Sequence, residues 1–142
     1  MIVSTLQRLV MDYKIHPILV NFTAALVPVS VASDVLERVS GEASLGQAAW
    51  WAIAYAGAVT PLTALTGWLF WMKDDVGVPG MTIHKWLGTA LALVVPALLL
   101  WRWRFQRRRV RPDVLYLACA LAIVAVLVYQ GSLGGTQVFK DM

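Results

Sequence analysis

Four long apolar segments constrain this chain more than any other feature of its sequence. They cover about residues 15–36, 48–72, 82–101 and 112–133. A helix needs about 20 mostly apolar residues to cross the roughly 30 Å hydrocarbon core of a bilayer, and each segment is long enough. Charged residues make up 14% of the chain, against about 25% in ordinary soluble domains. The sequence therefore predicts an integral membrane protein with four transmembrane helices.

The connections between these segments are short. Residues 37–47, 73–81 and 102–111 form the three predicted loops. Short connections favour antiparallel neighbours, so we expect an all-α, up-down-up-down four-helix bundle that forms one domain over residues 1–142. The apolar residues of the first 14 positions follow helical spacing, which indicates a short N-terminal helix in the membrane interface. We find no internal repeat in the sequence.

Orientation follows from six arginines at positions 102, 104, 107, 108, 109 and 111. Basic runs also occur in nucleic-acid-binding proteins, but this run joins two apolar segments. Cytoplasmic loops of membrane proteins carry an excess of Lys and Arg. The sequence therefore predicts a cytoplasmic 102–111 loop, both termini on the outer side, and no nucleic-acid partner.

The two histidines of the chain are the candidate ligands. His16 opens the first predicted helix and His84 opens the third, so the topology places both at the outer side and at a similar depth. The first and third helices of a four-helix bundle are diagonal partners. Two facing imidazoles can ligate a metal or the iron of a haem. The alternative is that each ring meets headgroups and water.

Small and polar residues surround these positions. Gly88 follows His84 by one helical turn, and Gly67, Gly134 and Gly135 lie at the same level. They favour either a slot for a flat ligand or close packing of membrane helices. Asn21 is expected to face the bundle interior, because an unpaired amide is costly in hydrocarbon.

Three further residues have ordinary interpretations. Asp34 lies 18 residues after His16, or about 27 Å along a helix, and is expected at the inner boundary in an ion pair with Arg38. Cys119 is expected to be a small buried hydrophobic residue.

Other chemistries lack a pattern in this sequence. It has no serine–histidine–acid set, no paired carboxylates inside a segment and no glycine-rich phosphate loop before a helix. These observations argue against a hydrolase, a kinase, a transporter or any stand-alone enzyme. A metal site of the two histidines with Asp74 or Asp75 is a weaker alternative, since zinc normally takes three or four protein ligands.

Three separated motifs give the chain a family likeness. HPILVNFTAAL, TIHKWLGTALAL and GSLGGTQVF together resemble a family of small bacterial membrane proteins catalogued as a domain of unknown function. The likeness extends from about Lys14 to Phe139. Its members carry His-Pro and then His-Phe-Pro in the first helix, a histidine opening the third helix, and Leu-Gly-Gly at the end of the fourth. Some relatives resemble fusions to Rieske iron–sulfur domains.

The resemblance implies roles for particular residues. His16 and Pro17 match the opening pair, His84 matches the later histidine, Leu133, Gly134 and Gly135 match the terminal motif, and Asp34 matches an acidic residue common near the end of the first helix. Asn21 and Thr23 replace the histidine and proline of the triplet, so this chain lacks any ligand which that histidine supplies.

The leading functional hypothesis is a b-type cytochrome-like electron carrier in the bacterial inner membrane. It would hold one haem b near the outer face through His16 and His84, and would exchange electrons with quinol or with a periplasmic redox protein. The alternative is a cofactor-free structural or accessory subunit of a membrane complex. An oligomer, or a redox subunit of a larger enzyme, is compatible with either hypothesis.

Overall fold

Four long helices form the structure. This computed structural model describes Ile2, Ser4, Thr5 and residues 15–71 and 81–138, without the side chains of residues 70, 71 and 136–138. The helices are α1 (Ile15–Ser40), α2 (Ala43–Trp71), α3 (Met81–Arg108) and α4 (Val114–Val138). All four are long and apolar enough to cross a membrane. The predicted all-α membrane bundle is confirmed, whereas the N-terminal interfacial helix lies largely outside the described residues.

The helices extend beyond the predicted apolar segments. Gly41 and Glu42 alone separate α1 from α2, and α3 continues to Arg108, so the predicted loops at 37–47 and 102–111 are wrong over most of their lengths. Polar residues continue a helix beyond the hydrocarbon core because their side chains reach water. The chain turns at Gly41, whose φ of 81° is easily adopted only by glycine.

Different local features end α3 and begin α4. Arg109, with φ of 54°, follows the end of α3, and the Val110 N–H donates to Phe105 O at 3.2 Å. Asp113 then caps α4, because its Oδ1 accepts the Tyr116 N–H at 2.8 Å.

The helices pack as a ring in chain order. Each contacts the helix before and after it, α4 also contacts α1, and α1 and α3 are diagonal. Val27, Ile53, Val95 and Ala120 are fully buried in the centre. Large apolar side chains on the outer surface, such as Leu93 at 73% exposure, face the position of the lipid in a membrane-spanning bundle.

The α1–α2 and α3–α4 hairpins are repeats of one unit. Three pairs of positions in α1 and α3 recur at one interval of 68 residues: His16 and His84, Pro28 and Pro96, Asp34 and Arg102. Buried positions recur too, with Val27 matching Val95. Because both hairpins run in the same direction, their relation is that of parallel membrane repeats. Few positions match, so this correspondence is hard to recognise in the sequence alone.

The two hairpins differ in how closely they pack. In the first, Thr23 and Thr60 share a hydroxyl hydrogen bond of 3.2 Å and Ser30 Oγ donates to Ala49 O at 2.8 Å. Polar contacts of this kind hold membrane helices together. The second hairpin carries larger side chains and leaves a groove of about 180 Å³, lined by Val94, Ala97, Leu98, Trp101, Cys119 and Ile123. Cys119 is therefore half-buried, rather than buried as expected.

Candidate functional site

His16 is held against the end of α2. It is the second residue of α1, and antiparallel packing brings it to the last turns of the neighbouring helix. Its Nδ1 lies 3.0 Å from Thr63 O and 3.1 Å from Thr66 Oγ1. The ring is half-buried and faces a helix rather than lipid. A hydrogen bond to backbone fixes the ring more firmly than contact with water would.

Gly67 provides the surface on which this ring lies. A Cβ at Gly67 would lie only 2.9 Å from Cε1 of His16. Carbon atoms in van der Waals contact are about 3.5–4.0 Å apart. The imidazole therefore occupies space that a side chain at this position would take, so the glycine makes room for the histidine itself.

His84 repeats this arrangement in the second hairpin. Its Nδ1 lies 3.0 Å from Gln130 O, a backbone carbonyl of α4. A Cβ at Gly134 would lie 2.9 Å from its Cε1. In both hairpins the acceptor carbonyl stands four residues before the glycine. A histidine, a backbone carbonyl and a glycine thus form one motif that occurs twice.

The hydrogen bond that each ring makes to a backbone carbonyl determines which ring nitrogen carries the proton. A backbone carbonyl only accepts, so Nδ1 of both His16 and His84 carries the proton and the lone pair lies on Nε2. Metal-bound histidines commonly donate their other N–H to a carbonyl in this way.

One feature breaks the equivalence of the two halves. The Gln130 side-chain Nε2 lies 3.4 Å from Nε2 of His84, where it can donate to the lone pair. A Cβ at Gly88 would lie 3.4 Å from that amide nitrogen. Gly88 therefore borders the amide beside Nε2 of His84. Sequence reasoning missed Gln130, although its position one turn before Gly134 was a usable signal.

Asn21 does not face the interior, and that prediction was wrong. It is exposed, and it lines an apolar groove of about 420 Å³ with Ile18, Phe22, Ala25 and Leu26. Five residues carry an α-helix about 140° beyond one full turn. Because His16 faces inward, the position five residues later faces outward.

Gly135 is another candidate that lies away from the two histidines. A Cβ at Gly135 would meet no described atom within 4 Å, so this glycine does not touch either ring. Asp74 and Asp75 lie outside the described residues. Within 15–71 and 81–138, no three His, Cys, Asp or Glu side chains are grouped to hold a metal ion.

Asp34 forms an ion pair that the sequence did not reveal. Its Oδ1 lies 3.0 Å from Nη2 of Arg102 on the diagonal helix, and both residues are 2% exposed. The predicted partner, Arg38, instead donates to Pro112 O at 2.9 Å. The 68-residue interval joining Asp34 to Arg102 is the signal that identifies the pair. Arg102 lies inside the bundle and not in a loop.

The seam between α2 and α3 is closed near the histidine level by aromatic contacts. Trp68 Nε1 donates to Thr89 Oγ1 at 3.0 Å. The Trp68 and Trp86 rings meet edge to face at 5.8 Å, and Lys85 Nζ lies 4.4 Å from the Trp68 ring centre. These contacts join the two hairpins at the end of the bundle that holds the histidines.

Comparison with known families agrees with this architecture. The sequence profile of DUF2231, described as a predicted membrane protein, matches residues 13–142. The chain belongs to DUF2231. Neither the curated proteins nor the solved structures contain a significant match. The match makes this DUF2231 chain a four-span membrane protein of a family whose description names no activity.

Proposed function

We propose that this DUF2231 protein is a membrane electron carrier of the b-type cytochrome kind, in which His16 and His84 would hold one haem. The observation that carries the proposal is the duplicated histidine motif. Each Nδ1 is bound to a backbone carbonyl of the neighbouring helix. Both imidazoles are therefore in the tautomer that ligates through Nε2.

The donor set fits a haem better than a bare metal ion. A tetrapyrrole supplies four ligands of its own and takes two from the protein, which is the number of histidines in the motif. Structural zinc takes four protein ligands and catalytic zinc three. The metal-binding alternative needs donors beyond the two histidines.

The residues of the chain have distinct tasks in this proposal. The Thr63 and Gln130 carbonyls orient the rings, and Gly67 and Gly134 let the rings lie against α2 and α4. Bound haem supplies one-electron exchange, and its potential depends on burial and on hydrogen bonds to its ligands. By accepting a hydrogen bond from Nδ1–H, each carbonyl would make its imidazole a stronger electron-pair donor at Nε2.

Gln130 has a second task. Its side-chain amide lies beside Nε2 of His84, the atom that the proposed ligation uses. Ligation at this atom requires the amide to turn aside while the Gln130 carbonyl keeps its bond to Nδ1. The backbone and side chain of one residue thus act on opposite sides of the same ring.

The location of the site suggests its redox partners. With the arginines of α3 at the cytoplasmic side, by the positive-inside rule, the histidines lie in the outer leaflet and both termini are periplasmic. The electron partner is then quinol in the bilayer or a redox protein at the outer face of a bacterial inner membrane. The four spans support only the contact with lipid.

Absorption spectroscopy tests the proposal. The full chain is expressed with a haem precursor, purified in mild detergent, and measured oxidised and then reduced. We expect a Soret band and sharp reduced bands, both lost in His16→Ala and in His84→Ala. Asn21→Ala, on the outward face of α1, is the matched control and should keep the spectrum. Wild-type protein without pigment would refute the haem site.

A cofactor-free accessory subunit is the second candidate. The contact between the Gln130 amide and Nε2 of His84 favours it, because that contact gives the ring a purely structural role. Under this hypothesis the protein lacks pigment and elemental analysis finds no bound metal. His84→Ala then lowers thermal stability without any spectral change.

A further inference from the structure

A second polar centre lies at the opposite end of the bundle from the histidines. Arg102 Nε contacts both carboxylate oxygens of Asp34, at 3.2 and 3.1 Å, and Nη2 contacts Oδ1 at 3.0 Å. Arg102 Nη2 also donates to Gly46 O at 3.1 Å. Asp34 lies six residues before the end of α1, or about 9 Å along the helix axis. Both charges are buried inside the bundle, where an ion pair needs further hydrogen bonds to offset the loss of water.

Tyr116 brings an unsatisfied hydroxyl to this centre. The residue is fully buried, and its OH has no hydrogen-bond partner among the described residues. Edge contacts with Trp101 at 5.7 Å and Phe105 at 5.8 Å fix the ring. Trp101 and Phe105 lie on either side of Arg102 in α3, so Tyr116 packs against the helical turn that carries the ion pair. Buried hydroxyls normally have a partner, so this one needs an explanation.

The Asp34 carboxylate can accept a further hydrogen bond. Its two oxygens offer about four lone-pair positions, and Arg102 supplies three close nitrogen contacts. Buried waters typically make about three hydrogen bonds to polar groups that otherwise have none. One water between the Tyr116 hydroxyl and the Asp34 carboxylate would satisfy both groups.

A polar route connects the centre to one end of the bundle. Arg102 Nη1 donates to Gln106 Oε1 at 3.4 Å, and Gln106 Nε2 lies 3.5 Å from Gln47 Oε1. Exposure increases along this series, from buried Arg102 through half-buried Gln106 to exposed Gln47. In the other direction lie Val27, Val95 and Ile53, all fully buried and apolar.

We propose that Asp34, Arg102 and Tyr116 form an internal water-binding site, hydrated from the arginine-bearing end of the bundle and closed toward the histidines by the apolar core. The site is independent of the proposed haem. Each repeat supplies one charge, the first hairpin an acid and the second a base, and Tyr116 of the second hairpin supplies the hydroxyl.

The direction in which Tyr116→Phe shifts the midpoint of thermal unfolding separates a dry hydroxyl from one that binds water. A dry hydroxyl without a partner costs free energy, so its removal would raise the midpoint of thermal unfolding or leave it unchanged. A hydroxyl that binds water contributes to stability, so we expect the midpoint to fall by a few degrees. Tyr129→Phe is the matched control, because Tyr129 is 53% exposed. An increased or unchanged midpoint for Tyr116→Phe would overturn the proposal.

Radiolytic hydroxyl-radical labelling of the wild-type protein provides the second measurement. Radicals formed from bound water modify the side chains beside it, so we expect labelling of Tyr116 despite its complete burial. Ile53, equally buried but in the apolar core, should stay unmodified. A lowered midpoint without labelling of Tyr116 would show that the hydroxyl has a protein partner, and the water site would be rejected.

Discussion

Adding one methyl group at Gly134 should displace His84, whereas the same change at the next residue should not. A Cβ at Gly134 would lie 2.9 Å from Cε1 of His84, and a Cβ at Gly135 would meet no described atom within 4 Å. Both glycines are in α4. Alanine therefore gives both positions the same gain in helix propensity, about 1 kcal/mol in a soluble helix, and the comparison isolates the contact with the ring.

The size of the effect follows from that distance. Carbon atoms in contact are about 3.5–4.0 Å apart, so the ring has to move by roughly 0.6–1.1 Å. Its Nδ1 lies 3.0 Å from Gln130 O, and a shift of this size away from the carbonyl would weaken the bond. Overpacking in a core typically costs about 1–3 kcal/mol. We expect Gly134→Ala to be less stable than Gly135→Ala by about that amount.

Thermal unfolding in detergent measures the stability difference, and the absorption spectrum measures the ligand. If the haem proposal holds, Gly134→Ala should also lose or broaden the Soret band, while Gly135→Ala keeps it. Equal unfolding midpoints for the two variants would refute the packing argument, whatever the spectra show. A stability difference without pigment in either variant would keep the packing argument and reject the haem.

Two further changes test the rest of the architecture. Asp34→Asn leaves the Arg102 guanidinium buried without its counter-ion, so the free energy of unfolding should fall by about 3–5 kcal/mol. Exchanging the two charges, Asp34→Arg with Arg102→Asp, should recover part of this loss. No recovery would argue against equivalent positions in the repeat. Asp113→Ala removes the cap that accepts the Tyr116 N–H and should cost about 1 kcal/mol, whereas Asp113→Asn should keep most of it, and equal losses would point to the charge rather than the cap.

The architecture was predictable because the bilayer imposes a length on each helix. Four apolar segments and short connections were enough to predict the four-helix bundle and its order. Helix ends were less predictable, since nothing in hydropathy distinguishes a polar helical turn from a loop. The seven residues from Arg102 to Arg108 appeared as loop in the sequence but complete α3 in the structure.

The sequence singled out the two histidines as candidates but not the groups that hold them. His16 and His84 were identified by topology alone. Their acceptors are backbone carbonyls, and a backbone acceptor has no residue type by which a sequence can reveal it. Asn21 was misplaced because its polarity was given more weight than its helical angle. Asp34 was assigned a local partner, since the repeat that relates it to Arg102 is visible only once positions are compared.

Equivalent positions of the two hairpins carry the same residue at one end of the bundle and oppositely charged residues at the other. At the histidine end both halves keep the same residue, and each ring is bound to a backbone carbonyl of the neighbouring helix. Under the haem proposal each half would supply one donor, and the Gln130 amide beside His84 is the difference between them. At the arginine end the equivalent positions have become acid and base, which neutralise each other and leave no need for an added ion. The two hairpins are thus alike at the histidine end and are joined by opposite charges at the arginine end.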